Sequence, residues 1–235
     1  MAALESWLFE CGALAVTLED DADQPLLEPG PGGTPLWEAV SVTALFDGDR
    51  SLNSVIDAVP SHLVVTSEAQ PMPVADREWT RVWEAQFHPM QMGERLWVCP
   101  SWTAPPDPAA VNILLDPGLA FGTGTHPTTA MCLQAIDACV SHSLRVVDYG
   151  CGSGILGIAA ARLGSGPVLA IDNDPQALVA SRANAETNGV GADQFAVVMP
   201  DDDLVPQWTG TTELVVANIL AGPLVNLAPT LVSLL

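Results

Sequence analysis

From Val111 to the end of the chain, short apolar runs alternate with helical patterns, and this alternation constrains the fold more than any other feature. The runs "LRVVDYG", "PVLAID", "QFAVVMP" and "ELVVANIL" are almost continuously apolar. Such runs read as strands buried on both faces, which requires a parallel sheet with helices on either side. Between them "ILGIAAARLG" and "PQALVASRANAETNG" read as helices, and "PLVNLAPTLVSLL" as a last one. The expected class is α/β, a doubly wound, Rossmann-like sheet.

The chain before Val111 follows different rules. In "AVSVTALF", Val40, Val42, Ala44 and Phe46 lie on one side of a strand. In "SLNSVIDAV", Leu52, Val55, Ile56 and Val59 recur at helical spacing, with Ser51 as the expected N-cap. A proline-rich break then precedes a short helix whose one face carries Trp79, Val82, Trp83 and Gln86, followed by the strand "RLWVCPSW" and the stiff loop "TAPPDPAA". We therefore expect a small domain over residues 1–70, a linker helix and strand over 71–110, and a larger domain over 111–235. A chain of 235 residues suits that division.

Charge narrows the partners. The formal net charge is −21, and all seven basic residues are arginine; lysine is absent. So acidic a chain repels nucleic acid and anionic membranes and attracts basic partners. The five cysteines are odd in number and contain no C-x-x-C pair, and the four histidines show no ligand spacing. These features argue against a disulfide framework and against a metal site, and for a cytoplasmic protein with reduced thiols. Glu5 and Glu10 interrupt the apolar start of the chain, so neither a signal peptide nor a membrane span is expected.

Two glycine-rich segments carry the chemistry. "VVDYGCGSGILG" places Gly150, Gly152 and Gly154 between a buried strand and a helix, where a ligand can approach backbone that side chains would otherwise block. Asp172 closes the next strand, the position from which an acid meets ribose hydroxyls in nucleoside-binding doubly wound folds. Gly152, Gly154 and Gly157 also satisfy the dinucleotide fingerprint, so NAD competes as a ligand. Asp148, at the end of the first strand, opposes a pyrophosphate and favours an ammonium. S-adenosylmethionine has that ammonium, a ribose diol and no phosphate. The other segment, "DPGLAFGTGTHPTTAM", has no lysine for a phosphate. Its Pro127 suits a first helical turn, Thr129 then offers a hydroxyl to the methionine carboxylate, and Phe121 can shield the sulfonium. His126 reads more simply as a loop histidine.

Taken together, "LLDPGLAFGTGTHPTTAMCLQAID", "VVDYGCGSGILGIAAARLG", "AIDNDPQALVASRANAETNGV", "VVANILAGPLVNLAP" and the upstream "EWTRVWEAQFHPMQMGERLWVCPSW" resemble the PrmA family, the methyltransferases of ribosomal protein L11. The resemblance covers nearly the whole chain. It implies a class I S-adenosylmethionine-dependent domain behind a small ferredoxin-like recognition domain, acting on lysine side chains and the N-terminal amine of L11; separately, a monomer is expected. It puts the family's cofactor contacts on Thr129, Gly150, Asp172 and Asn218, and sets Asn218 beside the transferable methyl group. It also implies a strand before the first helix and further strands after the last, neither of which this sequence contains. The competing readings are an NAD-dependent oxidoreductase and a non-catalytic S-adenosylmethionine-binding module. For Asn218, the competing role is a cap on the helix that follows.

Overall fold

The structure is a computed structural model that describes residues 2–24, 33, 35–63, 69–75, 87–116, 126–141 and 143–235. The helix expected over Trp79 to Gln86 lies outside the described residues, as do Phe121 and the glycine-rich stretch up to residue 125. The chain divides into two units, Met1–Arg77 and Glu78–Leu235.

In the first unit, helix α1 (Ala2–Glu10) is followed by strands β1 (Ala15–Asp20) and β2 (Val40–Leu45) and by helix α2 (Leu52–Asp57). The two strands pair antiparallel, from Ala15 opposite Leu45 to Asp20 opposite Val40. The apolar run continues through "CGALAV", but helix α1 stops at Glu10. Gly12 takes φ +92°, its N–H bonds the Phe9 carbonyl, and the Ala13 N–H reaches back to Leu8. This is the left-handed glycine stop that ends many helices, and it turns the chain into β1. Ser51 occupies the cap position of α2, but its side chain makes no cap bond; the Ser54 hydroxyl donates instead to the Ser51 carbonyl.

The second unit opens with β3 (Met90–Gln91), β4 (Leu96–Cys99) and β5 (Val111–Leu114), in which β4 pairs antiparallel with β3 and parallel with β5. The expected linker strand thus belongs to this unit, because Leu96, Val98 and Ile113 are buried in one core with the helices that follow. Next come α3 (Pro127–Cys139), β6 (Val146–Tyr149), α4 (Ile155–Arg162), β7 (Val168–Ile171), α5 (Pro175–Thr187), β8 (Phe195–Val198), β9 (Leu214–Val216) and α6 (Ala221–Leu234). Strands β6 to β9 form a parallel sheet in the order β8-β7-β6-β9.

Each strand feeds both faces of that sheet, as strand periodicity requires. Val146, Val168, Ala170, Phe195 and Val197 join a core with α3, α4 and α5. Val147, Leu169, Ile171, Ala196 and Val198 pack with Trp208, Leu227, Leu231 and Leu234 on the other side. The protein is mixed α/β with a parallel sheet covered by helices on both faces. The chain runs outward from β6 through β7 to β8, then returns to the opposite side of β6 as β9. That reversal opens a crevice at the carboxyl ends of β6 and β9, the place where such sheets bind ligands.

Candidate functional site

The turn after β6 has backbone geometry available mainly to glycine. Gly150, Gly152 and Gly154 adopt φ of +73°, +55° and +79°. At Gly150 a β-carbon would also collide with the Ile219 side chain, so the turn and the chain leaving β9 are in close approach. The third glycine of the fingerprint serves packing. A β-carbon on Gly157 would lie 2.8 Å from the Phe195 ring and 3.1 Å from Val168, so α4 crosses the sheet too closely for a side chain.

Two carboxylates converge on this turn. Asp172, half-buried after β7, accepts from the Gly152 N–H at 2.8 Å through one oxygen and from the Asp174 N–H at 3.0 Å through the other. Each oxygen keeps a further lone pair for a ligand. Asp148 is only 1% exposed. Its Oδ2 accepts from the Gly157 N–H at 2.8 Å, and its Oδ1 is buried without a partner. Burial, opposed by the Gly157 bond and reinforced by the Asp172 charge, pushes this carboxyl up to about 7. Burial and then the Asp148 charge likewise raise the thiols of Cys132 and Cys151.

Thr129 and Asn218 are brought together from opposite ends of the domain. Pro127 opens α3 and His126 caps it, its Nδ1 accepting from the Thr128 N–H at 3.3 Å. Thr129 then sits in the first turn, 3% exposed. Asn218, just past β9, donates through Nδ2 to the Thr129 Oγ1 at 3.0 Å. The cap on the following helix is Leu220, which makes no side-chain bond, so the capping role weighed for Asn218 is not the one the structure gives it. With Nδ2 committed to Thr129, the Asn218 Oδ1 stays an acceptor, and the Thr129 hydroxyl keeps its hydrogen for donation.

Sequence reasoning passed over the supports beneath the turn. The Ser181 hydroxyl donates to the Gly152 carbonyl at 2.8 Å, and the Asn184 amide donates to the Ser153 carbonyl at 2.8 Å. The signal was present: three polar residues recur on one face of "PQALVASRANAETNG" at positions that a buried helix would give to apolar side chains. Among the described residues, no group of three or more histidine, cysteine, aspartate or glutamate side chains could hold a metal ion, and no helix is long and apolar enough to cross a membrane.

The whole chain, residues 1–235, matches the family model described as Ribosomal protein L11 methyltransferase (PrmA). Ribosomal protein L11 methyltransferase of Saccharophagus degradans is 48% identical over 238 residues, covering 99% of this chain and 78% of that relative. The protein of the same name from Marinobacter nauticus is 50% identical over 236 residues, covering 98% and 78%. Among solved structures, the ribosomal protein L11 methylase of Lactobacillus delbrueckii subsp. bulgaricus superposes with a TM-score of 0.54 at 37% identity, over 63% of this chain and 75% of that one. Sequence and fold agree, and the chain belongs to the ribosomal protein L11 methyltransferase family.

Proposed function

We propose that this chain methylates amines of ribosomal protein L11, with S-adenosylmethionine as methyl donor and Asn218 as the residue that positions the target amine. The observation that carries this reading is the Asn218–Thr129 hydrogen bond at the β6/β9 crevice, because it leaves one fixed amide oxygen able to accept from an incoming amine.

The residues present suit the donor. S-adenosylmethionine supplies an electrophilic methyl group when bound. Asp172, already oriented by the Gly152 and Asp174 N–H groups, has lone pairs for the ribose diol. The unpartnered Asp148 Oδ1 is an acceptor for the ammonium, and the Thr129 hydroxyl is a donor for the carboxylate. Asp148, buried beside the turn, opposes a pyrophosphate, and this weighs against the NAD reading that the glycine fingerprint alone would allow.

A lysine amine has a pKa near 10.4 and is almost fully charged at pH 7, so exposing its lone pair costs about 4–5 kcal/mol. The Asn218 Oδ1 can hold an amine N–H and thereby aim the lone pair. Orientation of this kind contributes several kcal/mol to a barrier. The stretch after it, Ile219-Leu220-Ala221, has no bulky aromatic, which leaves room for an amine that carries methyl groups already. We assign recognition of L11 to the first unit, whose α-β-β-α order suits a small ferredoxin-like domain, and place the protein in the cytoplasm.

The test is transfer of labelled methyl groups from S-adenosylmethionine to recombinant L11. Label is expected on wild-type L11, and label on the N-terminal peptide alone when every L11 lysine is replaced by arginine. Binding of S-adenosylmethionine without any transfer to L11 would favour the non-catalytic module and overturn the proposal.

A further inference from the structure

Helix α5 carries polar side chains at 181 and 184, and Asn188, the residue that caps its C-terminus, continues the same face. Each reaches a backbone group outside its own helix. Ser181, fully buried, donates to the Gly152 carbonyl, and its oxygen lies 3.3 Å from the Cys151 sulfur. Asn184 donates to the Ser153 carbonyl. Asn188, also buried, acts on β5 as a missing strand would. Its Oδ1 accepts from the Leu114 N–H at 2.7 Å, and its Nδ2 donates to the Leu114 carbonyl at 2.8 Å and to the Asn184 carbonyl at 2.8 Å. The Asn188 carbonyl in turn accepts from Arg162 at 2.6 Å, which ties the end of α5 to α4. A β-carbon on Gly154 would lie 3.0 Å from the Ser181 oxygen, so helix and turn are already in contact.

These bonds are long-range in sequence, mutually linked, and made by a helix that also begins beside Asp172. Leu114 leads directly into the glycine- and threonine-rich segment of the sequence, and Gly152 and Ser153 belong to the other glycine-rich turn. Asp116 is held in the same region by the Ser101 N–H and hydroxyl, both at 2.7 Å. One helix face therefore fixes the exit of β5 and the turn after β6 in a single frame. Amide side chains suit this task because each supplies a donor and an acceptor in one plane.

We propose that Ser181, Asn184 and Asn188 are positioning residues that hold the glycine turn and the exit of β5 in register, and so set the affinity for S-adenosylmethionine. None of the three touches the Thr129–Asn218 pair among the described contacts, so their loss acts on binding and leaves the methyl-transfer step largely intact. This inference rests on the cofactor proposed above.

The test compares Asn184→Ala and Asn188→Ala with Gln194→Ala. Gln194 also donates to two backbone carbonyls, those of Ala161 and Ser165, but it lies at the start of β8, the far end of the sheet. All three variants should lose similar thermal stability. By titration calorimetry, S-adenosylmethionine should bind about tenfold more weakly to the two asparagine variants, as expected if the binding-competent arrangement falls to about a tenth of the population, and unchanged to Gln194→Ala. The kcat on L11 at saturating cofactor should stay within about threefold of wild type. The double variant should bind about as weakly as either single one, because the residues act as a unit. Affinity within twofold of wild type in both asparagine variants would overturn the proposal, as would an equal shift in Gln194→Ala. If the wild-type chain fails to bind S-adenosylmethionine, the functional reading falls by itself. The positioning role is then judged by hydrogen exchange: the Gly152, Gly154 and Leu114 amides should lose protection together in Asn184→Ala, and independent loss would refute it.

Discussion

At the scale of single residues, the two aspartates beside the glycine turn share a charge and differ in what surrounds them. Asp172 is half-buried and anchored by two backbone N–H groups, so it is oriented before any ligand arrives. Asp172→Ala removes a charged acceptor and releases the Gly152 N–H. We expect S-adenosylmethionine affinity to fall roughly ten- to a hundredfold with the fold intact, because a charged hydrogen bond contributes about 1.5–3 kcal/mol. Unchanged affinity by calorimetry would remove Asp172 from the ribose site. Asp148 is buried outright, with its carboxyl pushed up to about 7 from an ordinary 3.8. Between those two values the folded state holds more protons than the unfolded chain, so this group's contribution to stability falls as pH rises through the window and is level above about 7. Asp148→Asn keeps an oxygen for the Gly157 N–H and removes the charge. Relative to wild type, the variant should gain more in Tm at pH 8 than at pH 4.5, while binding S-adenosylmethionine more weakly. Equal Tm differences at the two pH values, read by differential scanning fluorimetry, would contradict a charged carboxylate at this buried position.

At the scale of elements, β9 and α3 have ends that depend on each other. The apolar run "ELVVANIL" suggests a longer strand, yet β9 pairs with β6 only over Leu214–Val216. The chain then leaves the sheet, and Asn218 turns to Thr129 in the first turn of α3. Gly150 makes this exit possible, since any side chain there would occupy the place of Ile219. Asn218→Ala should lower turnover on L11 by on the order of a hundredfold, the scale of losing one positioned hydrogen-bonding group at a reacting centre. Stability should change little, because Asn218 caps no helix. A variant that lost about 1 kcal/mol of stability, as a capping residue would, and retained full turnover would refute the role given to Asn218. The N-terminal elements carry a different lesson. "SWLFECGALAV" is apolar enough to continue as helix, but the left-handed Gly12 breaks it, and "AVTLED" becomes a strand because β2 offers it a partner.

At the scale of the whole molecule, the excess of acidic over basic residues, 28 against 7, creates a long-range negative field. A basic ribosomal protein should be drawn in faster at low salt, with the effect fading as the screening length shrinks from roughly 30 Å at 0.01 M to 10 Å at 0.1 M. Initial rates on L11 at subsaturating concentration should therefore fall as salt rises. Flat rates across that range would assign the charge to solubility alone. The absence of lysine has a related consequence. For the lysine methylation proposed above, this sequence holds no lysine amine of its own to compete with the substrate.

The sequence by itself determined the class of sheet, because strands buried on both faces need continuous apolar runs, and the helical patterns between those runs supply the covering layers. It also located the glycine turn, Asp148 and Asp172, since positive φ and strand-end acids are local properties of the chain. What it could not contain was the meeting of Thr129 with Asn218, the clamp of Asn188 on Leu114, or the burial that isolates one oxygen of Asp148. Those depend on which strands become neighbours. The order β8-β7-β6-β9 places the ends of β6 and β9 side by side, and only the folded sheet brings residues so far apart in sequence within hydrogen-bonding distance.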